Sequence, residues 1–273
     1  MEQKYLTINS DRVLYRLSKT EGPAVMLIHG FGEDGDIWEN QAASLSKKFR
    51  LIIPDIPGSG GSDFIEAGKT ESALDKYAVI LKKILDHENI SRCAIIGHSM
   101  GGYITLSFLR MFEDCINGIG FVHSTLFADN TERKEMRKKG ISFIEKFGAH
   151  AFLKQSIPNL FGDDYAKANP GMIKKLIDKS GNFKPESLIQ YYQAMMDRPD
   201  GAALIENYRK PVLFIIGEED KSVSLQDSLK QSHIPSVSCI KILPGVAHMG
   251  MWEAKDQVTR FLDDYLNYVI DGC

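Results

Sequence analysis

The stretch "IIGHSMGGY", residues 95–103, sets one serine among three glycines, straight after an apolar run and just before a helical pattern. Within it "GHSMG", 97–101, has the form G-x-S-x-G, preceded by the strand-like "CAII" and followed by "GYITLSFLRMF". A serine at a sharp strand-to-helix turn is held in a strained backbone conformation that lifts its hydroxyl above the sheet edge. Glycines at 97 and 101 suit such a turn, because side chains there would collide with it. The helix N-terminus behind Ser99 offers unpaired N–H groups and a positive dipole end, both useful to a developing oxyanion. A bare pentapeptide of this form is common by chance. The strand before it and the helix after it make Ser99 a candidate nucleophile.

Working outward, the strand that leads into Ser99 is one of a series. The opening alternates Tyr5 and Thr7 with Leu6 and Ile8, turns at "NSD" and continues as "RVLYRL", which predicts a β-hairpin. Short apolar runs follow at 24–29, 50–55, 93–98, 118–123, 211–217 and 238–243. Continuous runs of this kind suit strands covered by helices on both faces. Between them, Leu74, Tyr77, Ala78, Leu81, Ile84 and Leu85 in the segment 70–88 form one helical stripe. Val258, Phe261, Leu262, Tyr265 and Leu266 form another near the end. The alternation predicts an α/β fold with a mostly parallel, eight-stranded, doubly wound sheet.

One gap breaks the rhythm. The roughly 85 residues between "GIGFVHS" and "KPVLFIIG" are helical in pattern, broken by "SIPN", "NPG", "GNFKP" and "DRPDG". A crossover helix needs far fewer, so the expectation is a helical cap at 125–208 inserted into a core formed by 1–124 and 209–273.

A serine hydroxyl is a poor nucleophile at neutral pH and needs a base, usually a histidine held by a carboxylate. His248, in "LPGVAHMGMWE", lies in a loop just past the final strand, at the sheet edge where catalytic groups of open α/β sheets gather. His123, at the end of a strand, is its rival. His29 and His98 sit beside glycines at other turns and suit shaping of the backbone or pocket, while His87, His150 and His233 fall in surface contexts. Asp220, in the loop after "PVLFIIG", is the favoured orienting acid; Glu218, Glu219, Asp129 and Asp55 remain alternatives.

The order Ser99, Asp220, His248 is that of α/β-hydrolases. "HGFGED" (29–34), "PDIPGSGGSD" (54–63), "GHSMGG" (97–102), "GEEDKSV" (217–223) and "GVAHMG" (245–250) resemble that family at five places in the expected order. The resemblance is to a serine-nucleophile, carboxylesterase-like member with a helical cap. It implies that the backbone N–H groups of Phe31 and Met100 bind the oxyanion. Gly30, Gly32, His98, Phe127 and Met249 are the pocket candidates. The glycine-rich "PGSGGSD" lacks the GK[ST] of a phosphate loop and has Asp63 where a dinucleotide loop needs its last glycine. Its role by resemblance is structural.

The implied chemistry is acyl transfer from a small or medium carboxylic ester to water through an acyl-enzyme, with no metal or organic cofactor. Carbon–carbon bond hydrolases and perhydrolases share the triad, although the former favour asparagine before the nucleophile and tryptophan after the histidine, where this chain has His98 and Met249. A hydrolase-fold receptor for a small ligand with slow turnover is the reading from a different class.

Composition adds exclusions. The 273 residues are 25% charged and 43% hydrophobic with a net charge of −3, so no basic face for nucleic acid is expected. The run "ERKEMRKKG" (132–140) carries two glutamates and suits a solvated helix face. No segment has signal-peptide or transmembrane character. Cys93, Cys115, Cys239 and Cys273 form no CxxC pair. These features predict reduced thiols in a cytoplasmic protein that meets a small-molecule ester or related carbonyl substrate, with no membrane partner. They leave the oligomeric state open.

Overall fold

A computed structural model describes residues 1–68 and 71–271; Cys273 and the first residue of the segment 70–88 lie outside the described residues. The strands are β1 (Glu2–Ile8), β2 (Asp11–Leu17), β3 (Ala24–Ile28), β4 (Arg50–Pro54), β5 (Cys93–His98), β6 (Ile116–Val122), β7 (Val212–Gly217) and β8 (Ser238–Leu243). They form one sheet in the order β1-β2-β4-β3-β5-β6-β7-β8. The β1–β2 hairpin and its junction with β4 are antiparallel, and every other pairing is parallel. Burial follows position in the sheet. Every residue of β3, β5 and β7 is buried, whereas edge strands β1 and β8 alternate toward solvent. The continuous apolar runs therefore belong to strands covered on both faces, and the alternating ones to the edges.

The helices are α1 (Glu39–Leu45), α2 (Ala73–His87), α3 (Met100–Phe112), α4 (Thr131–Phe147), α5 (Ala149–Ser156), α6 (Asp163–Ala168), α7 (Pro170–Lys179), α8 (Pro185–Asp197), α9 (Ala202–Asn207), α10 (Leu225–Gln231), α11 (Gly250–Glu253) and α12 (Lys255–Asp271). α2 packs beside α3 and α1 beside α12, two separate pairs that cover the sheet. The six stripe residues of α2 are all buried. On α12, Val258, Leu262, Tyr265 and Leu266 are buried, but Phe261 is only half-buried, with Lys241 Nζ 5.1 Å from its ring centre. It sits at the edge of the apolar stripe beside β8, which has no outer neighbour in the sheet.

Helices α4–α9 all lie between β6 and β7. Their breaks fall where proline and glycine predict them. "SIPN" becomes a 3₁₀ turn at Ile157–Leu160, while Pro170 and Pro185 open α7 and α8, where the missing N–H is not needed. α8 ties this helical segment to the loops after β4 and to α2. Gln190 Nε2 donates to the Ile65 carbonyl at 3.0 Å and to Tyr77 Oη at 2.7 Å, its Oε1 accepts Ala67 N–H at 2.9 Å, and Tyr191 Oη donates to the Pro57 carbonyl at 2.7 Å.

Candidate active site

Ser99 connects β5 directly to α3 with φ 49° and ψ −116°. This is positive-φ backbone that a residue with a Cβ adopts only when its surroundings force it. The force is visible. A Cβ on Gly97 would overlap the Gly101 carbonyl, and one on Gly101 would lie 2.5 Å from the Ile28 oxygen and 2.8 Å from that of His29. Only glycines let strand, turn and neighbouring strand approach so closely. Ser99 N–H donates to the Val122 carbonyl at 3.0 Å, and Ser124 Oγ donates to the Ser99 carbonyl at 2.7 Å, fixing the turn from the β6 side.

His248 and Asp220 meet at the same sheet edge, in the loops after β8 and β7. His248 Nδ1 is 2.8 Å from Asp220 Oδ2. The other carboxylate oxygen, Oδ1, accepts the backbone N–H groups of Ser222 at 2.8 Å and Val223 at 2.9 Å, so the carboxylate cannot rotate freely. Burial opposes the charge on Asp220, yet His248 and His123 hold its carboxyl far below the usual carboxylate range. Burial likewise pulls the His248 imidazole down. The charge and hydrogen bond of Asp220, with Glu33 and Glu253 behind, more than offset this and carry it above its ordinary value. Ser99 and His248 make no direct hydrogen bond among the described residues.

The rival histidine is close but differently placed. His123 Nδ1 lies 3.3 Å from the same Asp220 oxygen without forming a hydrogen bond, and burial pushes its imidazole down to about 4 despite Asp220. Its ring is enclosed, with Gly250 and Gly217 leaving the space it fills. Potential ligand atoms of His123, Asp220 and His248 lie within 4.8 Å of one another, the one group among the described residues that could hold a metal ion. A cation there would have to displace the Asp220–His248 hydrogen bond.

The competing acids have other work. Asp129 is bound by Arg137 and, at 2.9 Å, by Arg198. Asp55 pairs with Arg16 at 2.6 Å and accepts Gly35 and Gly61 N–H, which makes "PGSGGSD" a backbone-shaping loop. Glu218 accepts Gly245 N–H at 3.0 Å.

A family model described as the α/β hydrolase fold matches residues 23–143. The structure of a thermophilic esterase from Thermogutta terrifontis superposes with a TM-score of 0.89 at 24% identity, covering 98% of this chain and 99% of that one. The chain has the α/β-hydrolase fold. The enol-lactonase of Burkholderia xenovorans LB400 shares this hydrolase fold with a TM-score of 0.87 at 21% identity, over 97% of this chain and 100% of that one. Among curated sequences, the 2-hydroxy-6-oxo-6-phenylhexa-2,4-dienoate hydrolase of Burkholderia cepacia is 24% identical over 96% of both chains. An uncharacterised protein of Mycobacterium tuberculosis is 32% identical over 114 residues, 42% of this chain; the chain thus spans about a third of that relative, 32% of its length.

Within this hydrolase-fold scaffold the Phe31 and Met100 N–H groups have no hydrogen-bond partner among the described residues. The Phe31 ring stacks on Tyr192 of α8 at 4.3 Å and 9°, with Phe152 and Tyr191 edge-on at 6.2 Å. Beside this turn opens a cavity of about 80 Å³, lined by Gly32 and Met249 among others. Neither Ser99 nor His248 lines it directly.

The remaining pocket candidates fall elsewhere. Gly30 is buried at the turn, its N–H on Glu33 at 2.7 Å. His98 is fully buried between Glu33 and the His248 carbonyl, a bridge rather than a wall. Phe127 lines a separate depression with Asn130, Arg133 and Lys230, because the chain turns away after β6 toward α4.

Two carboxylates were not foreseen. Glu253 Oε2 accepts Gly162 N–H at 2.8 Å and Ala247 N–H at 3.3 Å, and its Oε1 accepts Met249 N–H at 3.0 Å, bracing both sides of His248. Glu33 braces the Phe31 turn. The only sequence signal was an acid close to each motif, five residues after His248 and two after Phe31.

Proposed function

We propose that this protein is a serine hydrolase that cleaves a small or medium carboxylic ester through an acyl-enzyme. The observation that carries the reading is the Asp220–His248 pair at 2.8 Å, its carboxylate orientation fixed by two backbone N–H groups, at the same sheet edge as the strained Ser99 turn. With Nδ1 donating to Asp220, the imidazole presents Nε2 as a base. Ser99 Oγ attacks the carbonyl carbon as His248 takes its proton, and the ring and hydroxyl close to hydrogen-bond distance once a substrate is bound. The N–H groups of Phe31 and Met100 then receive the oxyanion, each such donor contributing about 3 kcal/mol to the transition state. His248 protonates the departing alcohol and activates the water that releases the acid.

Helices α4–α9 act as the cap over the substrate site, and the cavity beside the Phe31 turn, assigned here to substrate, has mainly apolar walls. A carbon–carbon hydrolase reading is favoured by the full-length likeness to the Burkholderia cepacia enzyme. The substrate in that enzyme's name is a dienoate, an anion, whereas the cavity here is lined by Glu33, Asp34, Asp36 and Glu39 against Lys175 and Lys179. An ester is the better match.

The test is labelling with a serine-directed fluorophosphonate mapped by mass spectrometry, alongside turnover of p-nitrophenyl esters of increasing acyl length. Label on Ser99 and turnover of short or medium esters are expected. Label on another residue, or hydrolysis of a dienoate but of no ester, would overturn the reading.

A further inference from the structure

Beside Ser99, one buried acid keeps a spare acceptor. The Glu33 side chain is 8% exposed. Its Oε2 receives Gly30 N–H at 2.7 Å and faces His98 Nδ1 at 2.9 Å. Its Oε1 has no hydrogen-bond partner among the described residues, and it is not among the fully enclosed orphan atoms; Glu33 itself lines the cavity. The point that a Cβ on Gly30 would occupy is 2.9 Å from Glu33 Oε2 and 3.1 Å from Ser99 Cβ, so carboxylate and nucleophile flank one spot.

His98 Nε2 faces the His248 carbonyl oxygen at 3.1 Å, an atom that can only accept. The Glu33 carboxylate thus gathers the Gly30 N–H and the ring edge of His98 on one oxygen, Oε2, and leaves Oε1 to the cavity side. Burial raises the Glu33 carboxyl, but the His98 charge and hydrogen bond and the Gly30 N–H bring it below its ordinary value. Oε1 is therefore a pure acceptor. The other buried acid of the cavity, Asp34, is already taken by Lys179 at 2.7 Å, which also holds Asp36 at 2.5 Å. Much of the remaining wall is apolar, including Ile157, Leu160, Phe161, Leu176, Met249 and Trp252.

We propose that Glu33 is the polar specificity element of the substrate site, its Oε1 accepting a hydroxyl or ammonium hydrogen carried near the scissile carbonyl of an otherwise apolar ester. This rests on the ester-hydrolase reading above. A hydroxylated substrate satisfies the spare lone pair. An unsubstituted alkyl ester desolvates Oε1 without replacing its partner, and a carboxylated one sets acceptor against acceptor. A hydrogen bond to a buried charged group corresponds to a preference of roughly tenfold to a hundredfold.

The experiment compares kcat/KM for p-nitrophenyl butyrate, 3-hydroxybutyrate and hemisuccinate, and for propyl and 2-hydroxypropyl butyrate, in the wild type and in Glu33→Gln. Equilibrium binding of the same esters to Ser99→Ala, with and without Glu33→Gln, gives the ranking without turnover. The hydroxylated ester is expected to lead its unsubstituted partner by at least tenfold in one series, with the hemisuccinate last. In Glu33→Gln the amide oxygen keeps Gly30 N–H and the NH2 faces the cavity, turning acceptor into donor. The hydroxyl advantage then collapses and the hemisuccinate gains most.

Ester turnover with no hydroxyl preference in either series, or an unchanged ranking in Glu33→Gln, overturns the role of Glu33 and leaves the hydrolase reading intact. No turnover, but binding to Ser99→Ala in the expected order with inversion by Glu33→Gln, overturns the hydrolase reading and supports Glu33. If Glu33→Gln does not fold, the wild-type ranking decides alone.

Discussion

Replacing Asp220 with asparagine changes one atom and should disable the site by reversing a hydrogen bond. Oδ1 of Asp220 accepts N–H groups from Ser222 at 2.8 Å and Val223 at 2.9 Å, so an amide at this position must place its oxygen there. Its NH2 then occupies the position of Oδ2, facing His248 Nδ1 at 2.8 Å. An NH2 can only donate, so Nδ1 must accept and the ring proton moves to Nε2. An imidazole with its proton on Nε2 cannot receive the one from Ser99 Oγ. The corresponding substitution in a serine protease triad lowers kcat about 10⁴-fold, or about 5 kcal/mol at 1.36 kcal/mol per decade. Two backbone N–H groups fix the carboxylate here, so a loss of about 10³- to 10⁴-fold in kcat on a p-nitrophenyl ester is expected. KM should change little. Activity within tenfold of the wild type would refute the argument, and would mean that the amide turns over or that another acid orients His248.

The remaining expectations concern pH and packing. Because His248 is held above its ordinary value, kcat/KM should rise with pH through an apparent value above about 6.5; a limb at or below that figure would contradict the pairing. Stability runs the opposite way for the two partners. The raised histidine contributes stability below about 6.5 that is lost as pH climbs through its folded value, while the depressed Asp220 contributes stability above about 3.9 that is lost on acidification, both visible in melting temperature against pH. Gly101→Ala would set a methyl 2.5 Å from the Ile28 carbonyl oxygen, where only backbone could yield. It should cost about 3 kcal/mol or more in denaturant unfolding. Glu253→Ala orphans the N–H groups of Gly162, Ala247 and Met249 and should lower stability by about 2–4 kcal/mol while reducing kcat; thermal melts and turnover check both.

What the sequence could show depended on whether the information was local. Period and punctuation carried the eight strands, and Pro170 and Pro185 marked two helix starts to the residue, because proline acts on its own backbone. β6 begins at Ile116, two residues before its apolar run, since its pairing with β5 shifts register between Cys93 and Ala94. That shift belongs to two strands at once and has no single-segment signal. The same division holds at the site. Ser99, Asp220 and His248 sit at strand ends that could be counted along the chain. Glu33 and Glu253 act by receiving backbone N–H groups, and those receptors exist only once the loops have closed around them. Phe127 illustrates the converse case: an aromatic residue near a strand end suggests a pocket wall, and the direction of the chain after β6 places it in a depression separate from the cavity at the Phe31 turn.

The face-to-face stacking of Phe31 on Tyr192 at 4.3 Å has a consequence for how such proteins diversify. The peptide proposed to stabilise the oxyanion is clasped by an aromatic ring from α8, so the two parts are not freely interchangeable modules. A transplant of helices 131–207 from a relative would bring a new substrate shape, but it would also reset the position of the Phe31 N–H unless a flat ring arrived at 192. An engineered chimaera that preserves Ser99, Asp220 and His248 while losing that ring is therefore expected to fold and bind yet turn over poorly, because the shape of one half of the molecule is set by a contact with the other.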